Sequence, residues 1–217
     1  MPNLEPIRPT LHMDVLSRTQ TAAIRTATLD VLENVGISFP SERALDVFAE
    51  HGATVDRQSQ IVKLSPDLVS RAMDHAPRSY RLGGRTEDVD LLVDGTASYL
   101  ATDGCGVETL DFETHERRQS RKDDVAAMAR VADYLSSISF YWPMVSAQDH
   151  GKTAPLHELD ASFNNTLKHV QTETAMGKKT AQYAVRMGKV VAGAEKSMRE
   201  RPPFSVLICT IAPLGQD

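Results

Sequence analysis

The period of the apolar residues changes along the chain, and the changes divide it into regions. Between Thr19 and Val35, Ile24, Ala27, Val31, Leu32 and Val35 recur at helical spacing, and Gly36 is placed to end that helix in the left-handed region. A second helix is predicted behind Ser41 as N-cap, with Ala44, Leu45 and Phe48 inward and Gly52 as its terminator. Ile61–Leu64 reads as a short strand. Ser65-Pro66 supplies an N-cap and a first-turn proline for a third helix through Val69, Ala72 and Met73, which Pro77 stops. Residues 1–77 are therefore expected to form an α-rich N-terminal module. Its first ten residues carry Pro2, Pro6 and Pro9 without periodicity and read as an arm lying over a surface or a partner.

Over residues 78–120 the pattern turns to short strands and the turn dipeptides Gly83-Gly84, Asp94-Gly95 and Asp103-Gly104, with a hairpin expected at Leu91–Leu100. Ser120-Arg121-Lys122-Asp123 has the spacing of a capping box, with Asp in place of Glu. From residue 98 to 217 strands and helices alternate. Tyr99–Thr102, Ile138–Val145, His169–Thr172 and Phe204–Ile211 are the apolar runs; Asp123–Leu135, Leu156–Leu167 and Thr180–Ala194 are the helical stretches, and Glu195–Pro203 is read as a loop. Such alternation predicts an α/β fold with a parallel sheet, whose members are covered on both faces and so run continuously apolar. The sheet can close as an eight-stranded barrel or stay open and doubly wound; the pattern alone does not separate the two.

Composition narrows the function classes. With 217 residues and 41% hydrophobic content the chain can bury a globular core, and its net charge of -5 offers no general field for nucleic acid. No apolar stretch reaches the roughly 18 residues that span a bilayer, and Met1–Thr10 lacks the order of a signal peptide, so a cytoplasmic protein that does not enter the membrane is expected. Cys105 and Cys209 are too few for a disulfide framework and are read as reduced. A parallel series with open edges exposes backbone donors, acceptors and apolar surface, which predicts a homo-oligomer.

Ligands of parallel α/β sheets bind at the carboxyl ends of the strands, which gives a short list of candidates. These ends present Asp103-Gly104-Cys105-Gly106, Tyr141-Trp142-Pro143-Met144, Thr172-Glu173-Thr174 and Thr210-Ile211-Ala212-Pro213. Trp142, the only tryptophan, and Tyr141 can offer ring faces to a cation; the competing reading is that Phe140-Tyr141-Trp142 packs in the interior. Glu173 is the carboxylate best placed to meet a cation or to act as acid or base, against a reading as a solvated loop residue. Cys105 is read as a small residue in a tight turn between glycines, and Cys209 as a small buried hydrophobe. His157 and His169 lack partners at metal-ligand spacing, so no metal site is expected and both are read as structural. There is neither a G-x-G-x-x-G after a strand nor a G-x-S-x-G elbow.

Several strings taken as a set carry a resemblance: Val31-Leu-Glu-Asn-Val-Gly-Ile-Ser-Phe-Pro40, Ala76-Pro-Arg78, Gly83-Gly-Arg85, Val107-Glu-Thr-Leu-Asp-Phe-Glu-Thr-His-Glu-Arg-Arg118, Leu156-His-Glu-Leu159 and Thr166-Leu-Lys-His169. In order and spacing the chain resembles the N-terminal portion of the trimethylamine methyltransferase family, whose members are roughly twice as long. The resemblance implies a (β/α)8 TIM barrel, of which this chain holds the first four strand–helix units. It implies an enzyme that moves a methyl group from a methylated amine to the Co(I) centre of a corrinoid held by a separate partner protein, with no tightly bound cofactor of its own. Members that use trimethylamine carry pyrrolysine in the second half of the barrel, and relatives without it act on quaternary amines such as glycine betaine. No catalytic residue can be carried over, because these strings contain none. Two other readings stand beside this one: a half-barrel that serves only in assembly or binding, and an unrelated α/β enzyme with an open sheet.

Overall fold

The computed structural model describes residues 4–11, 13–104, 106–175, 177–211 and 214–215. The chain divides into two compact units, one built from 11–78 with 208–217 and the other from 79–207 with the N-terminal ten residues.

In the first unit α1 (Arg18–Asn34) starts at Ser17, whose hydroxyl accepts from the Gln20 amide while the Gln20 side chain accepts from the Ser17 N–H. Gly36 follows at φ 88°, and a Cβ there would stand 2.7 Å from the Val62 carbonyl, so only glycine fits. β1 (Ile37–Ser38), α2 (Glu42–Glu50), β2 (Thr54–Asp56), β3 (Ile61–Lys63) and α3 (Pro66–His75) complete the series, with β3 between β1 and β2 in an antiparallel sheet. Ser41 and Ser65 cap α2 and α3 as the sequence predicts. Leu45 and Val62 are wholly buried, but Ile24, Val35 and Met73 are exposed, so much of the apolar stripe of α1 lies outside this small core.

The second unit opens with β4 (Tyr80–Leu82) and β5 (Leu91–Val93), which pair antiparallel. The hairpin expected at Leu91–Leu100 is therefore displaced: β5 pairs backwards with β4, while β6 (Leu100–Ala101) pairs forwards and parallel with a later strand. Asp94 accounts for the misleading turn signal, because its side chain accepts from the Thr96 amide and hydroxyl in a local turn that pairs no strands. β7 (Glu108–Leu110) and β8 (Arg117–Gln119) form a true hairpin. α4 (Lys122–Tyr134), β9 (Ile138–Phe140), α5 (Ala154–Asn165), β10 (Val170–Thr172), α6 (Lys178–Ala192), α7 (Glu195–Glu200) and β11 (Phe204–Val206) follow.

Parallel pairing joins β6 to β9 and β10 to β11. The middle pair is closed at Tyr141, whose N–H donates to the His169 carbonyl and whose own carbonyl accepts from the Gln171 amide. β6, β9, β10 and β11 are thus neighbours in chain order, each reached from the last through a helix, and the described strands form no closed barrel. Two clusters fill the space beneath the helices. Val125, Ala129 and Ala132 of α4 meet Ala161 of α5 with Tyr141 and Val145, the alanines letting the helices approach. Leu159, Phe163, Val170, Ala184 and Phe204 form the other, with Phe163 and Phe204 edge to face at 6.1 Å.

The structure departs from four further expectations. The cap of α4 lies one residue later than predicted: the Arg121 N–H donates to Asp124, while Ser120 is buried and its hydroxyl donates to the Ser146 carbonyl. Glu195–Glu200 is helical rather than looped, held by Glu195 pairing with Lys189 and, one turn on, with Arg199. The last strand ends at Val206, because β10 offers a ladder only to Thr172; Cys209 beyond it is exposed rather than buried. Cys105, Ala212 and Pro213, named among the strand-end candidates, lie outside the described residues. Among the described residues no helix is long and apolar enough to cross a membrane.

Candidate functional site

A small cleft opens at the carboxyl ends of β9 and β10. Trp142, Pro143, Val145 and Ser146 line it from the segment after β9, Thr172–Thr174 from the end of β10, and Glu158 from α5. Trp142 is held by Thr102 at the end of β6: the Thr102 hydroxyl donates to the Trp142 carbonyl at 2.6 Å and accepts from its amide at 2.8 Å. Gly104 lets the two segments close, since a Cβ there would fall 2.1 Å from the Pro143 carbonyl oxygen.

Of the sequence-predicted residues, Trp142 and Glu173 line this cleft and Tyr141 does not. Tyr141 is completely buried beneath α4, its hydroxyl donates to the Val125 carbonyl at 3.0 Å, and burial pushes its phenol well above the usual range. The period of two along β9 turns the ring of 141 to the helix side and leaves Trp142 for the strand end. Burial raises the Glu173 carboxyl above its ordinary pKa, and the negative charge of Asp103 adds to that.

Glu158 also lines this cleft, and no sequence motif marks it. It is 2% exposed, and its carboxylate accepts from the Ser146 hydroxyl at 2.5 Å, the Ala147 amide at 3.2 Å and the Thr174 hydroxyl at 2.6 Å. The signal was present. Ala154, Glu158, Ala161 and Ser162 recur at i, i+4, i+7 and i+8 and are all buried, so a carboxylate sits on the inward stripe of α5, where acidic residues are rare unless paired or functional.

Neither His157 nor His169 lines the cleft. His169 is fully buried; its Nδ1 faces the Gly83 and Pro202 carbonyls at 3.1 Å, which requires Nδ1–H, so Nε2 accepts from the Ser205 hydroxyl at 2.9 Å. Burial lowers its pKa to about 4. His157 stacks on His150 with ring centroids 3.5 Å apart, and burial lowers its pKa, helped by the neighbouring His150. Among the described residues no three His, Cys, Asp or Glu side chains converge to hold a metal ion.

The strings that carried the resemblance also become physical here. Gly83 and Gly84 are contact glycines rather than a free turn: a Cβ on Gly83 would meet the Arg201 backbone at 2.7 Å, and one on Gly84 the Val89 side chain at 2.4 Å. Within Thr166–His169, Lys168 donates to the carbonyls of Ala132, Leu135 and Ile138 at 2.6–2.7 Å, and Asp133 accepts from the Thr166 hydroxyl and the Leu167 amide. At the end of the Val107–Arg118 string, Arg118 clamps Asp124 through both terminal nitrogens and reaches Asp111 through Nε, which ties the hairpin to the start of α4.

Comparison with known proteins places this framework. The family model of trimethylamine methyltransferase (MTTB) matches residues 2–217. The trimethylamine methyltransferase MttB of Desulfitobacterium hafniense is 37% identical over 193 residues, covering 88% of this chain and 39% of that protein. Trimethylamine methyltransferase MttB1 of Methanosarcina acetivorans is 29% identical over 209 residues, covering 94% and 42% respectively. The proline betaine:corrinoid methyltransferase of Eubacterium limosum is 26% identical over 198 residues, covering 87% and 40%. The chain thus spans about two fifths of the length of these relatives, and by its match from end to end it belongs to the trimethylamine methyltransferase family.

Proposed function

We propose that the chain forms the N-terminal portion of a methyltransferase that holds a tertiary or quaternary methylated amine as its cation at the mouth of the small cleft of Trp142, Glu158 and Glu173. One methyl group passes to the cobalt of a corrinoid carried by a separate partner protein. The observation that carries this reading is the composition of the cleft: an indole and two carboxylates meet at the ends of parallel strands, and among the described residues no Lys, Arg or His lines the wall. Four parallel neighbours in chain order support a second element of the proposal, that these are the first four strand–helix units of a (β/α)8 barrel, where ligands bind at this face. The names of the relatives support the chemistry, since they act on trimethylamine or on proline betaine with a corrinoid. A cytoplasmic homo-oligomer is part of the same reading.

The residues divide the work. The indole face of Trp142 attracts a methylated ammonium through its quadrupole, which contributes about 0.5–2 kcal/mol depending on desolvation. Glu158 and Glu173 supply the opposite charge, and Pro143 and Val145 keep that side of the cleft apolar. When bound, the corrinoid supplies the electron pair that takes the methyl group, while the pair of the broken C–N bond stays on nitrogen. A quaternary nitrogen leaves as a neutral amine without help. A tertiary amine bound as its ammonium likewise leaves as a neutral amine, and the Glu173 carboxylate can accept a hydrogen bond from its N–H.

Calorimetric titration with tetramethylammonium and with glycine betaine tests the site. Trp142→Ala should weaken both by roughly tenfold or more, the equivalent of about 1.4 kcal/mol, whereas Trp142→Phe keeps a ring and retains part of the affinity. Equal affinities for Trp142→Ala and the native chain would remove the cation site from this cleft.

A further inference from the structure

We propose that Glu158 is the positioning residue of the cleft, the group that holds the two strand-end segments in the register that brings Trp142 and Glu173 onto one wall. The cleft's role as a cation site rests on the function proposed above; the positioning role is carried by geometry alone. Ser146 and Ala147 end the segment that begins at Trp142, and Thr174 adjoins Glu173. Both segments are tied to the same carboxylate, Oε1 accepting from the Ser146 hydroxyl and the Ala147 amide and Oε2 from the Thr174 hydroxyl. α5 carries that carboxylate inward with 2% exposure, and among the described residues no cationic side chain lies within ion-pair distance of it.

A buried charge is costly unless it is paired or hydrogen-bonded. Here the charge is met by three donors and left without a counter-ion at the wall of the cleft. Two consequences follow. Beyond the ladder bonds at Tyr141, the segments are fixed to one another through α5, and a cation entering the cleft completes the electrostatics of Glu158 from the open side. Binding energy is then not spent on ordering the walls, because they are already held in place.

Trp142 is the only tryptophan, so its fluorescence reads the cleft directly. Glu158→Ala should shift the emission of the ligand-free chain to the red, as the indole loses its fixed apolar wall, and weaken tetramethylammonium by roughly tenfold or more. Glu158→Gln keeps one carbonyl acceptor for Ser146 and Ala147 and can donate to Thr174, so it should restore the native emission while still weakening the cation. That split separates positioning from charge. Ser146→Ala and Thr174→Val each cut one tie and, should Glu158→Ala fail to fold, must each shift the emission in the same sense. Native emission in these two variants, or in a folded Glu158→Ala chain, overturns the positioning role. Native chain that binds no tetramethylammonium but shows the emission shifts would instead retire the amine reading and leave the positioning role standing.

Discussion

The two ends of the parallel strands treat buried charge in opposite ways. At the ends where β10 and β11 begin, inward-facing polar groups find their partners within the protein: Lys168 three carbonyls, His169 two carbonyls and a hydroxyl, and the half-buried Asp90 the Arg201 guanidinium through two bonds of 2.7 and 2.8 Å. At the ends where β9 and β10 finish, Glu158 and Glu173 line a cleft with no Lys, Arg or His among its described lining residues. The first arrangement has nothing left to offer a ligand and serves stability. The second leaves negative charge against an indole, which is what a small organic cation requires.

Lys168→Met should break this division most severely. The methionine fills much of the same volume but removes the ammonium from the carbonyls of Ala132 and Leu135 at the carboxyl end of α4 and of Ile138 in β9, a loss of about 3 kcal/mol. Urea unfolding measures it, and the emission of Trp142 at the far ends of the strands should not move. A loss below about 1 kcal/mol would show that water replaces the ammonium there and that the strand-start end is less committed than the contacts imply.

His169 sharpens the comparison through pH. Its folded pKa of about 4 lies below the unfolded value of 6.5, so between these values the unfolded chain takes up a proton that the folded chain refuses. Acidification through that window therefore destabilises, by about 2–3 kcal/mol between pH 7 and pH 4.5, and the full contribution is present above pH 6.5. His169→Gln should flatten that part of the stability profile while leaving an acid limb from Asp90. Burial works against ionisation of Asp90, but the Arg201 guanidinium and the Gly84 amide outweigh it and hold its carboxyl below the usual range. The stability from Asp90 is present above its unfolded pKa and is lost as pH falls through the folded one, a lower window than that of His169. Profiles that coincide in native chain and His169→Gln would mean that the imidazole is solvated.

How far the sequence reveals each end differs for the same reason. Helix limits were legible wherever a cap has a local cause, as at Ser41, Ser65 and Gly36, because those bonds join residues a few positions apart. The parallel order of strands could be argued from alternation alone. Pairings that skip along the chain were not legible. β5 turns back to β4 over a 3–10 turn at Glu87–Val89, and nothing local distinguishes that from the turn at Asp94-Gly95. In the site, Trp142 and Glu173 were visible as strand-end residues. Tyr141 looked equivalent to Trp142 because composition cannot tell which face of a half-buried strand a ring takes. Glu158 was hidden because it acts across 11 to 16 residues on segments that carry no motif, and only its place on the buried stripe of α5 marks it.

The smallest expected effect tests the cleft end most selectively. Glu173→Gln removes a partly solvated charge and keeps the shape, so folding stability should change little while tetramethylammonium binding weakens by roughly threefold to fivefold, about 1 kcal/mol. The pH dependence carries more information than the magnitude. Because burial and Asp103 raise the Glu173 pKa, the native chain should lose cation affinity as pH falls through that raised value, and a bound cation should draw the pKa back down. In Glu173→Gln this limb of the binding profile should vanish. If the limb persists unchanged, the titrating charge that meets the cation is not Glu173, and the asymmetry between the two strand ends rests on Glu158 alone.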